Sequence, residues 1–299
     1  MILNKSSYPK ISIITPVLNR VQFLEDTILS VISQGYPNLE YIIIDGDSTD
    51  GSLDLIKKYE RSISYWVSEL DLGMYHAIQK GFDRSSGEIM AWLNSDDIYK
   101  PGSLNMIASI FNDTDVEWIT AMGSLYNKDG NCVKTNNLTK WSKSRVWLND
   151  YKWIQQENTF WKRSLWEKSG GFISTNLKYA GDFELWCRFF KYAELYSVHT
   201  SFAGFRLHGS QFTTDFKKEY ETEASNISKE FKPVTLNEKR KYYILVLFKG
   251  LQWIIKYTLI FLFLEPFVSK IIDKLHNFPR IIRYNFNELK WEIAWKKTR

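Results

Sequence analysis

A run of polar and acidic residues, Asn94-Ser95-Asp96-Asp97, directly follows an apolar segment at residues 89–93. Carboxylates held at the end of a strand can bind a hard divalent cation, and such a cation in turn binds a diphosphate. Asp96 or Asp97 can instead cap a following helix. Acidic residues elsewhere in the chain favour a cation site, and not helix capping alone, as the function of this run. They are Asp45, Asp71 and Asp182.

A second polar turn, residues 45–51, also follows an apolar run. Asp45 stands at the end of that run, where its carboxylate can accept a hydrogen bond from the imide N–H of a uracil or thymine ring. Ser48 and Asp50 are placed to cap the helix that comes next. This turn therefore combines a candidate base-recognition residue with a structural function.

The elements that must position these turns alternate between strand and helix periodicity. Strands are predicted over residues 11–18, 41–44, 63–67 and 89–93, and helices over 23–32, 52–58, 73–82 and 101–111. This alternation indicates parallel strands joined by crossovers, and such sheets bind ligands at the carboxyl ends of their strands. Three of the four loops at that edge are acidic, which favours a cation or hydroxyl-rich groups as ligand.

The rest of the chain divides by composition. Residues 115–210 mix strands, one of them over 195–205, with a helix over 183–192, and predict α+β additions to the same sheet. Residues 1–215 would thus form one domain, followed by a linker or surface helix at 216–241 and a basic amphipathic helical tail at 242–299. Tryptophans are dense around residues 141–166, where core packing is favoured over a platform for sugar rings. They are Trp141, Trp147, Trp153, Trp161 and Trp166.

The predicted tail is apolar and basic. Residues 231–299 hold 14 Lys+Arg against 5 Asp+Glu, whereas residues 1–230 hold 25 against 29. Residues 242–264 are long enough to span a bilayer. However, Lys249, Gln252 and Lys256 share one helical face, and each Lys near the bilayer centre costs about 2.5–3.5 kcal/mol. A helix lying in the membrane interface, ended by Glu265-Pro266, fits better.

After that helix, a second amphipathic segment at 267–275 precedes a stretch with basic residues and the tryptophans Trp291 and Trp295. Such a stretch is attracted to anionic lipid. The alternative is a helical appendage that packs on the domain or forms a homodimer. The sequence therefore predicts a peripheral membrane contact and leaves the packed appendage open.

Several classes of protein are excluded or disfavoured. The charge asymmetry is unlike a nucleic-acid binder. Two cysteines do not make a disulfide scaffold, and the four histidines show no zinc-finger spacing. No G-x-G-x-x-G follows the first strand, and neither a P-loop nor a G-x-S-x-G elbow occurs. The first residues lack a signal-peptide pattern, so a cytoplasmic protein is expected.

Three motifs in this order resemble the family 2 inverting glycosyltransferases of the GT-A fold, in the bacterial branch that builds surface polysaccharides. They are residues 15–20 (TPVLNR), 43–51 (IIDGDSTDG) and 93–98 (LNSDDI). Further segments extend the resemblance over roughly residues 10–210: 68–73 (SELDLG), 156–163 (QENTFWKR), 170–172 (GGF), 180–186 (AGDFELW) and 205–208 (FRLH). The resemblance implies an open, mostly parallel twisted sheet flanked by helices, here with a C-terminal tail.

The resemblance also implies a metal site. The family's Asp-x-Asp motif holds Mn²⁺ or Mg²⁺ against the diphosphate of a nucleotide sugar. Asn94 takes the first Asp position here, so Asp96 remains as the metal carboxylate, with Asp97 beside it. His208 resembles a late histidine that completes the metal or diphosphate site in some relatives, although a lone histidine is often only a satisfied polar residue.

Other positions are implied to bind the donor or to act on the acceptor. Asp45 and the Thr15-Pro16 backbone would recognise uracil, and Arg206 would grip a phosphate unless it forms a surface ion pair. Further candidate donor contacts are Asn19, Asp71, Asn94 and Ser95. Asp182 resembles the catalytic base, which must take the proton of an acceptor hydroxyl as that hydroxyl attacks the anomeric carbon.

The expected protein is thus a metal-dependent enzyme at the cytoplasmic face of the membrane. It would move a sugar from a nucleotide diphosphate, most often UDP, to a hydroxyl of a lipid-linked glycan. A sugar nucleotidyltransferase is a weaker alternative, because its glycine-rich basic loop is missing and residues 15–21 hold only Arg20. A non-catalytic scaffold that binds nucleotide sugar or membrane is the other alternative, left open by Asn94.

Overall fold

Four parallel strands form the part of the sheet that the alternating pattern predicts. The computed structural model describes residues 8–149, 153–209, 216–256 and 261–294. In it, β1 (Ile11–Val17) pairs in parallel with β2 (Leu39–Asp45) and with β4 (Ile89–Trp92), and β2 pairs in parallel with β3 (Tyr65–Ser68). β1 is buried along its whole length, and Ile42, Ile43 and Ile44 of β2 are buried as well. These strands therefore lie in the centre of the core, with their polar carboxyl ends at one edge.

Three crossover helices connect these strands, namely α1 (Val21–Ile32), α2 (Ser52–Lys58) and α3 (Met74–Arg84). α1 places Phe23, Leu24 and Ile28 on its buried face. β5 (Ile98–Tyr99) and α4 (Ser103–Asp113) follow β4. The parallel crossover organisation is confirmed, and the ends of these predicted elements differ from the observed ends by at most two residues.

The later segments complete a nine-stranded sheet and a second, smaller sheet. β6 (Trp118–Ala121), β9 (Thr159–Lys162) and β10 (Tyr196–Val198) join the main sheet, in which β9 is antiparallel to β4 and β6. The smaller sheet has the order β5-β11-β7-β8, with β7 (Ser124–Tyr126), β8 (Cys132–Thr135) and β11 (Ala203–Arg206). The prediction of one strand over 195–205 is wrong, because the chain leaves the main sheet after Val198 and enters the second sheet at Ala203.

Three shorter helices and a cluster of aromatic rings fill the space around the sheet. The helices are α5 (Lys143–Trp147), α6 (Arg163–Lys168) and α7 (Gly181–Phe189). Trp92, Trp161 and Trp186 contact one another with ring centroids 5.6–5.8 Å apart. Of the five clustered tryptophans, four are buried and Trp153 is half-exposed and stacks on Tyr220. Core packing is therefore the function of most of that cluster, as expected.

The described chain after residue 215 begins with three helices. α8 (Lys217–Glu230) lies in the stretch predicted as a linker or surface helix, α9 (Leu236–Lys256) runs from that stretch into the predicted helical tail, and α10 (Phe261–His276) follows. Pro266 lies inside α10, so the predicted helix end at Glu265-Pro266 is wrong. Proline removes one backbone donor but its fixed φ is compatible with helix. Residues 257–260 and 295–299, which include part of the predicted helix and of the basic end, lie outside the described residues, as do the side chains of Gln252 and Lys256.

The predicted helical tail ends in a β-hairpin, which corrects the all-helical expectation for 242–299. β12 (Ile281–Asn285) pairs antiparallel with β13 (Lys290–Ala294), and Ile282 lies opposite Val198 of β10. Ile281, Ile282 and Trp291 are buried, because this hairpin covers the edge of the main sheet. Among the described residues, no helix combines the length and apolarity needed to cross a bilayer.

Candidate active site

A cleft of about 510 Å³ opens at the carboxyl edge of β1 and β4. One wall holds Pro16 and the turn that follows β4, and the opposite wall holds the start of α3 and residues 175–178. The polar lining is Arg20, Asp71, Asn94, Ser95, Asp96, Tyr75, His76, Thr175, Asn176 and Lys178. The cleft therefore lies where an open α/β sheet binds its ligand.

Asp96 and His208 meet at this cleft. The Nε2 atom of His208 lies 3.1 Å from Oδ2 of Asp96, and the Nε of Arg20 lies 3.8 Å from the same oxygen. The imidazole is almost fully buried and packs against Phe23 with ring centroids 4.4 Å apart. The position of His208 is set by β11, a strand of the second sheet that ends two residues earlier at Arg206, so two of the three predicted metal residues are brought together.

The Asp96–His208 pair fits a divalent cation that takes most of its ligands from a bound substrate and from water. Within the described ranges, no group of three or more His, Cys, Asp or Glu side chains stands close enough to hold a metal by itself. Mg²⁺ and similar ions are commonly held by one or two protein ligands together with substrate phosphates and water. One carboxylate and one imidazole suit that arrangement, and a closed structural site is not indicated.

Asn94 and Ser95 also face the cleft, as expected of donor contacts. The Oδ1 atom of Asn94 is buried and has no hydrogen-bond partner among the described residues. A buried acceptor of this kind is costly unless something donates to it. A hydroxyl of a ribose or of a donor sugar is the type of group that would satisfy it.

Asp182 lies at the start of α7, behind the cleft-lining Tyr75. Its Oδ1 accepts a hydrogen bond from the backbone N–H of Phe183 at 2.7 Å and lies 3.3 Å from the Tyr75 hydroxyl, which also donates to Tyr179 O at 2.9 Å. Burial raises the pKa of Asp182 to about 6, against the effect of these donors. A carboxylate with such a pKa is charged at neutral pH and is a stronger base than an exposed aspartate.

Gly181 permits this arrangement. A Cβ at position 181 would lie 2.8 Å from the ring of Tyr75. Close contact between α7 and the Tyr75 ring is therefore possible only with glycine here. The geometry couples the candidate base directly to the wall of the cleft.

The similarity to known proteins decides the family. The model of Glycosyl transferase family 2 matches residues 12–179. The chain belongs to glycosyltransferase family 2. Asp182, Arg206 and His208 lie beyond the matched residues, so their assignment rests on geometry.

Similar proteins agree with this placement. An uncharacterized glycosyltransferase of Haemophilus influenzae is 27% identical over 240 residues, covering 74% of this chain and 73% of its own length. The putative teichuronic acid biosynthesis glycosyltransferase TuaG of Bacillus subtilis is 34% identical over 125 residues, 41% of this chain and 50% of that protein.

Two solved structures share the fold of this glycosyltransferase. The S. aureus TarS 1–349 complex with UDP-GlcNAc has a TM-score of 0.58 and 14% identity, covering 97% of this chain and 98% of that one. Mannosyltransferase PcManGT from Pyrobaculum calidifontis, in complex with GDP-Man and Mn²⁺, has a TM-score of 0.53 and 14% identity, covering 90% and 85%. The expected GT-A fold and glycosyltransferase class are thus confirmed.

Two other predicted residues of the glycosyltransferase lie in the interior. Asp97 is buried, and its Oδ1 accepts a hydrogen bond from the backbone N–H of Arg206 at 3.0 Å. Burial, reinforced by Asp96 and Glu157, raises the pKa of Asp97 well above its usual range. Arg206 is also buried, with its guanidinium 2.9 Å from Asp26 and over the Phe23 ring. The structure therefore does not bring either side chain to the cleft, where Asp96 and His208 lie.

The residues predicted to recognise uracil are also held by neighbouring loops. Asp45 is buried and accepts hydrogen bonds from Ser48 N and Oγ and from Ser68 Oγ. Thr15 is buried and accepts from the Tyr41 hydroxyl at 3.2 Å, whereas Pro16 lines the cleft. Asp45 therefore holds the turn that follows β2, and one of the four lone-pair sites of its carboxylate is left for a further donor.

Asn19 and Asp71 hold loops beside the cleft, and of the two residues Asp71 lines it. Asn19 Oδ1 accepts from Thr49 N at 2.9 Å, which ties the end of β1 to the turn after β2. Asp71 faces the cleft and accepts from Gly73 N at 2.7 Å. A Cβ at Gly46 would lie 2.6 Å from Asp71 Oδ2, so glycine at position 46 allows this carboxylate to approach the backbone.

Three side chains around the candidate base are not among the predicted site residues. Tyr75 contacts Asp182, Glu157 is buried near it, and Glu223 of α8 binds the segment before it. Burial raises the pKa of Glu157 to about 7. Tyr75 and Glu223 lie on helices, and Glu157 lies in a short 3-10 turn, so none stands in the strand-end position that made the other residues recognisable.

Proposed function

We propose that this family 2 enzyme is a metal-dependent inverting glycosyltransferase that uses a UDP-sugar. Its acceptor would be a hydroxyl of a lipid-linked glycan in bacterial surface polysaccharide synthesis. The observation that carries the proposal is that one cleft is lined by Asp96, which pairs with His208, and by Tyr75, which contacts Asp182, a carboxylate whose pKa burial raises to about 6. TuaG and TarS, by their names and ligands, support the polysaccharide context and the UDP donor.

Asp96 and His208 would hold Mn²⁺ or Mg²⁺, and the bound ion would neutralise charge on the departing diphosphate. Asn94 Oδ1 would accept from a hydroxyl of the donor, with Ser95 beside it. Pro16 would contact the nucleoside from the end of β1, and Asp45 would supply its remaining lone pair to the imide N–H of uracil. PcManGT, with Mn²⁺ bound, supports the metal.

Asp182 would act on the acceptor side. Its carboxylate takes the proton of the acceptor hydroxyl while the acceptor oxygen forms a bond to the anomeric carbon. The bond from that carbon to the diphosphate oxygen breaks, and UDP leaves with the electron pair. Because attack and departure occur on opposite faces, the anomeric configuration inverts. Tyr75, which contacts Asp182 and lines the cleft, would orient the base.

The surface of α9 supports a lipid-linked acceptor. Arg240, Tyr243, Ile244 and Leu247 follow helical i, i+3, i+4, i+7 spacing, and all four are exposed. We call these four residues the outer face of α9. An apolar stripe with a basic residue suits the interface of an anionic membrane, which would place the enzyme at the inner face of the cell membrane. Pairing of two copies through this face is the competing possibility.

The proposal is tested by thermal unfolding of the purified protein with UDP, dTDP, GDP and CDP, each with Mn²⁺ and with EDTA. A ligand at 100 times its dissociation constant adds about 2.7 kcal/mol to the free energy of unfolding. We expect a shift with UDP and Mn²⁺ that EDTA removes. A larger shift with GDP than with UDP would indicate a GDP-sugar as the donor. Equal shifts with Mn²⁺ and with EDTA would refute metal dependence.

A further inference from the structure

Helix α8 contributes a carboxylate to the segment that precedes the candidate base. Glu223 Oε2 accepts hydrogen bonds from Tyr179 N at 2.9 Å and Ala180 N at 2.8 Å, and its Oε1 accepts from Lys178 N at 3.1 Å. Three consecutive backbone donors therefore converge on one side chain. Hydrogen bonds to a charged acceptor are roughly twice as strong as neutral ones.

The segment held in this way is part of the cleft. Lys178 ends the stretch 175–178 that forms one wall, and Ala180 immediately precedes the first residue of α7. Tyr179 O accepts the hydrogen bond of the Tyr75 hydroxyl, which also contacts Asp182. Glu223 thus reaches both the wall and the base through one short stretch of backbone.

Helix α8 is a fixed support and not a linker. Ala224 and Ser228 are buried, and Ser228 Oγ donates to Asn149 Oδ1 at 3.1 Å. Tyr220 stacks on Trp153 with ring centroids 4.4 Å apart. Because these contacts anchor the turns of α8 on both sides of position 223, the Glu223 carboxylate has a fixed place against the segment.

We propose that Glu223 is a positioning residue for transfer, which fixes residues 178–180 and thereby the acceptor-side wall and Asp182. The proposal rests on the proposed role of Asp182 as the base. The hydrogen bonds of Glu223 go to residues 178–180 and not to the Asp96–His208 pair, so we expect it to act on the part of the cleft beside Asp182. Its loss would therefore lower kcat and leave UDP binding in place.

Charge gives Glu223 a second, separable effect. The ionisable groups that interact with Asp182 are Tyr75 from α3, Glu157 from the 3-10 turn, Glu223 from α8 and, on α7 itself, Cys187. The negative charge of Glu223 raises the pKa of Asp182, in addition to the larger effect of burial. Removing that charge lowers the pKa, and the acid limb of the kcat profile moves to lower pH. The readout that a general loss of structure would not reproduce is a lower kcat together with an unchanged UDP-induced thermal shift.

The test compares wild type with Glu223→Gln and with the matched control Glu221→Gln. Gln keeps the length of Glu but replaces one acceptor oxygen with a donor, so it cannot accept from all three amides. Glu221 lies on the same helix, its side chain is 59% exposed, and its carboxylate lies 3.9 Å from Lys217 Nζ, so its substitution removes the same charge without touching the segment.

Three readouts are taken: hydrogen exchange of the backbone amides of 178–180, the UDP-induced thermal shift, and the pH profile of UDP release from a UDP-sugar with a lipid-linked glycan extract as acceptor. For Glu223→Gln we expect faster exchange, an unchanged UDP shift, kcat lower by on the order of 10- to 100-fold, and an acid limb at lower pH. Glu221→Gln should match wild type in all three.

The proposal would be overturned if the amides of 178–180 exchange at wild-type rates in Glu223→Gln. It would also be overturned if they exchange faster while kcat and the acid limb stay unchanged. If Glu223→Gln does not fold, Glu223→Asp carries the test, because its carboxylate is one methylene too short to reach all three amides. Failure of the proposed function is separate: wild type would then show no UDP shift and no UDP release, whereas the exchange readout still decides whether Glu223 holds the segment.

Discussion

The imidazole of His208 lies 3.1 Å from the carboxylate of Asp96, although 112 positions separate the two residues. The contact exists because β11 pairs with β5, the short strand that follows Asp96 by two residues, and carries the chain across the mouth of the cleft. Asp96 lies in the turn that leads from β4 of the main sheet to β5 of the smaller sheet, and His208 follows β11 of the smaller sheet. The proposed metal site therefore depends on how the two sheets are joined as well as on the acidic turn.

Substituting Asp96 with Asn should impair metal-supported UDP binding. Asn keeps the shape of Asp but removes the charge that a hard cation prefers. Loss of an outer-shell partner of a metal ligand typically costs 10- to 100-fold in affinity, so loss of a ligand should raise the Mn²⁺ concentration for half-maximal activity by at least roughly tenfold. The measurement is UDP release against Mn²⁺ concentration. Exposed Asp115 offers the control Asp115→Asn, and an unchanged Mn²⁺ requirement in Asp96→Asn would remove Asp96 from the metal site.

Substituting Asp182 with Asn should abolish most turnover while sparing the donor. The amide oxygen can still accept from Phe183 N and the Tyr75 hydroxyl, so the fold is kept, but the group no longer takes a proton. General-base catalysis contributes about 10²–10⁴-fold, and we expect kcat to fall by that order. The UDP-induced thermal shift, measured on the same protein, should stay at the wild-type value. Full turnover in this variant would show that another group is the base.

The raised pKa of Asp182 makes a prediction about stability. Its folded pKa of about 6 exceeds the ordinary 3.8, so the folded state binds more protons at this site between about pH 4 and pH 6. The stabilising contribution of the protonated acid is therefore fully present below about pH 4 and is lost as pH rises through 6. Asp182→Asn should raise the free energy of unfolding at pH 8 relative to wild type by about 1–3 kcal/mol, and much less at pH 4.

Urea unfolding of both proteins at pH 4 and pH 8 measures this difference. The comparison with wild type is needed because other carboxylates act in the opposite direction, since hydrogen bonds lower the pKa of Glu40 and of Glu238 to about 2 against the effect of burial. An equal effect of Asp182→Asn at both pH values would contradict the raised pKa. Asp182→Asn would then gain stability while it loses turnover, which is expected where a charged group is buried because catalysis needs it.

The outer face of α9 should bind anionic membrane. Replacing Ile244 and Leu247 with Ser removes apolar area that is exposed in the free protein, so we expect reduced flotation with phosphatidylglycerol vesicles and unchanged thermal stability. Val133 is 58% exposed on the distant second sheet and supplies the control Val133→Ser. Flotation equal to wild type in the double variant would refute the membrane face. A wild-type dimer that the double variant converts to monomer would assign the face to self-association.

Much of the fold was open to prediction because each signal was local. The buried runs of β1, β2 and β4 and the helices between them follow from periodicity within 7 to 12 residues. Residues 281–294 were not predictable in this way. Ile282 and Trp291 gain their burial only against the edge of a sheet formed by residues far earlier in the chain, and without that edge their pattern is compatible with an amphipathic helix.

The sequence by itself determined that this is a family 2 glycosyltransferase and which strand-end turns would meet at one edge. Tertiary structure decided which of those residues face the cleft. Asp96 and Asp97 are neighbours in the chain, yet Asp96 lies beside His208 while Asp97 accepts from Arg206 N in the interior. Tertiary structure also brought Tyr75 and Glu223 to Asp182. Spacing along a strand or helix fixes local direction only, whereas burial, pKa and partners depend on what packs against each side chain from distant parts of the chain.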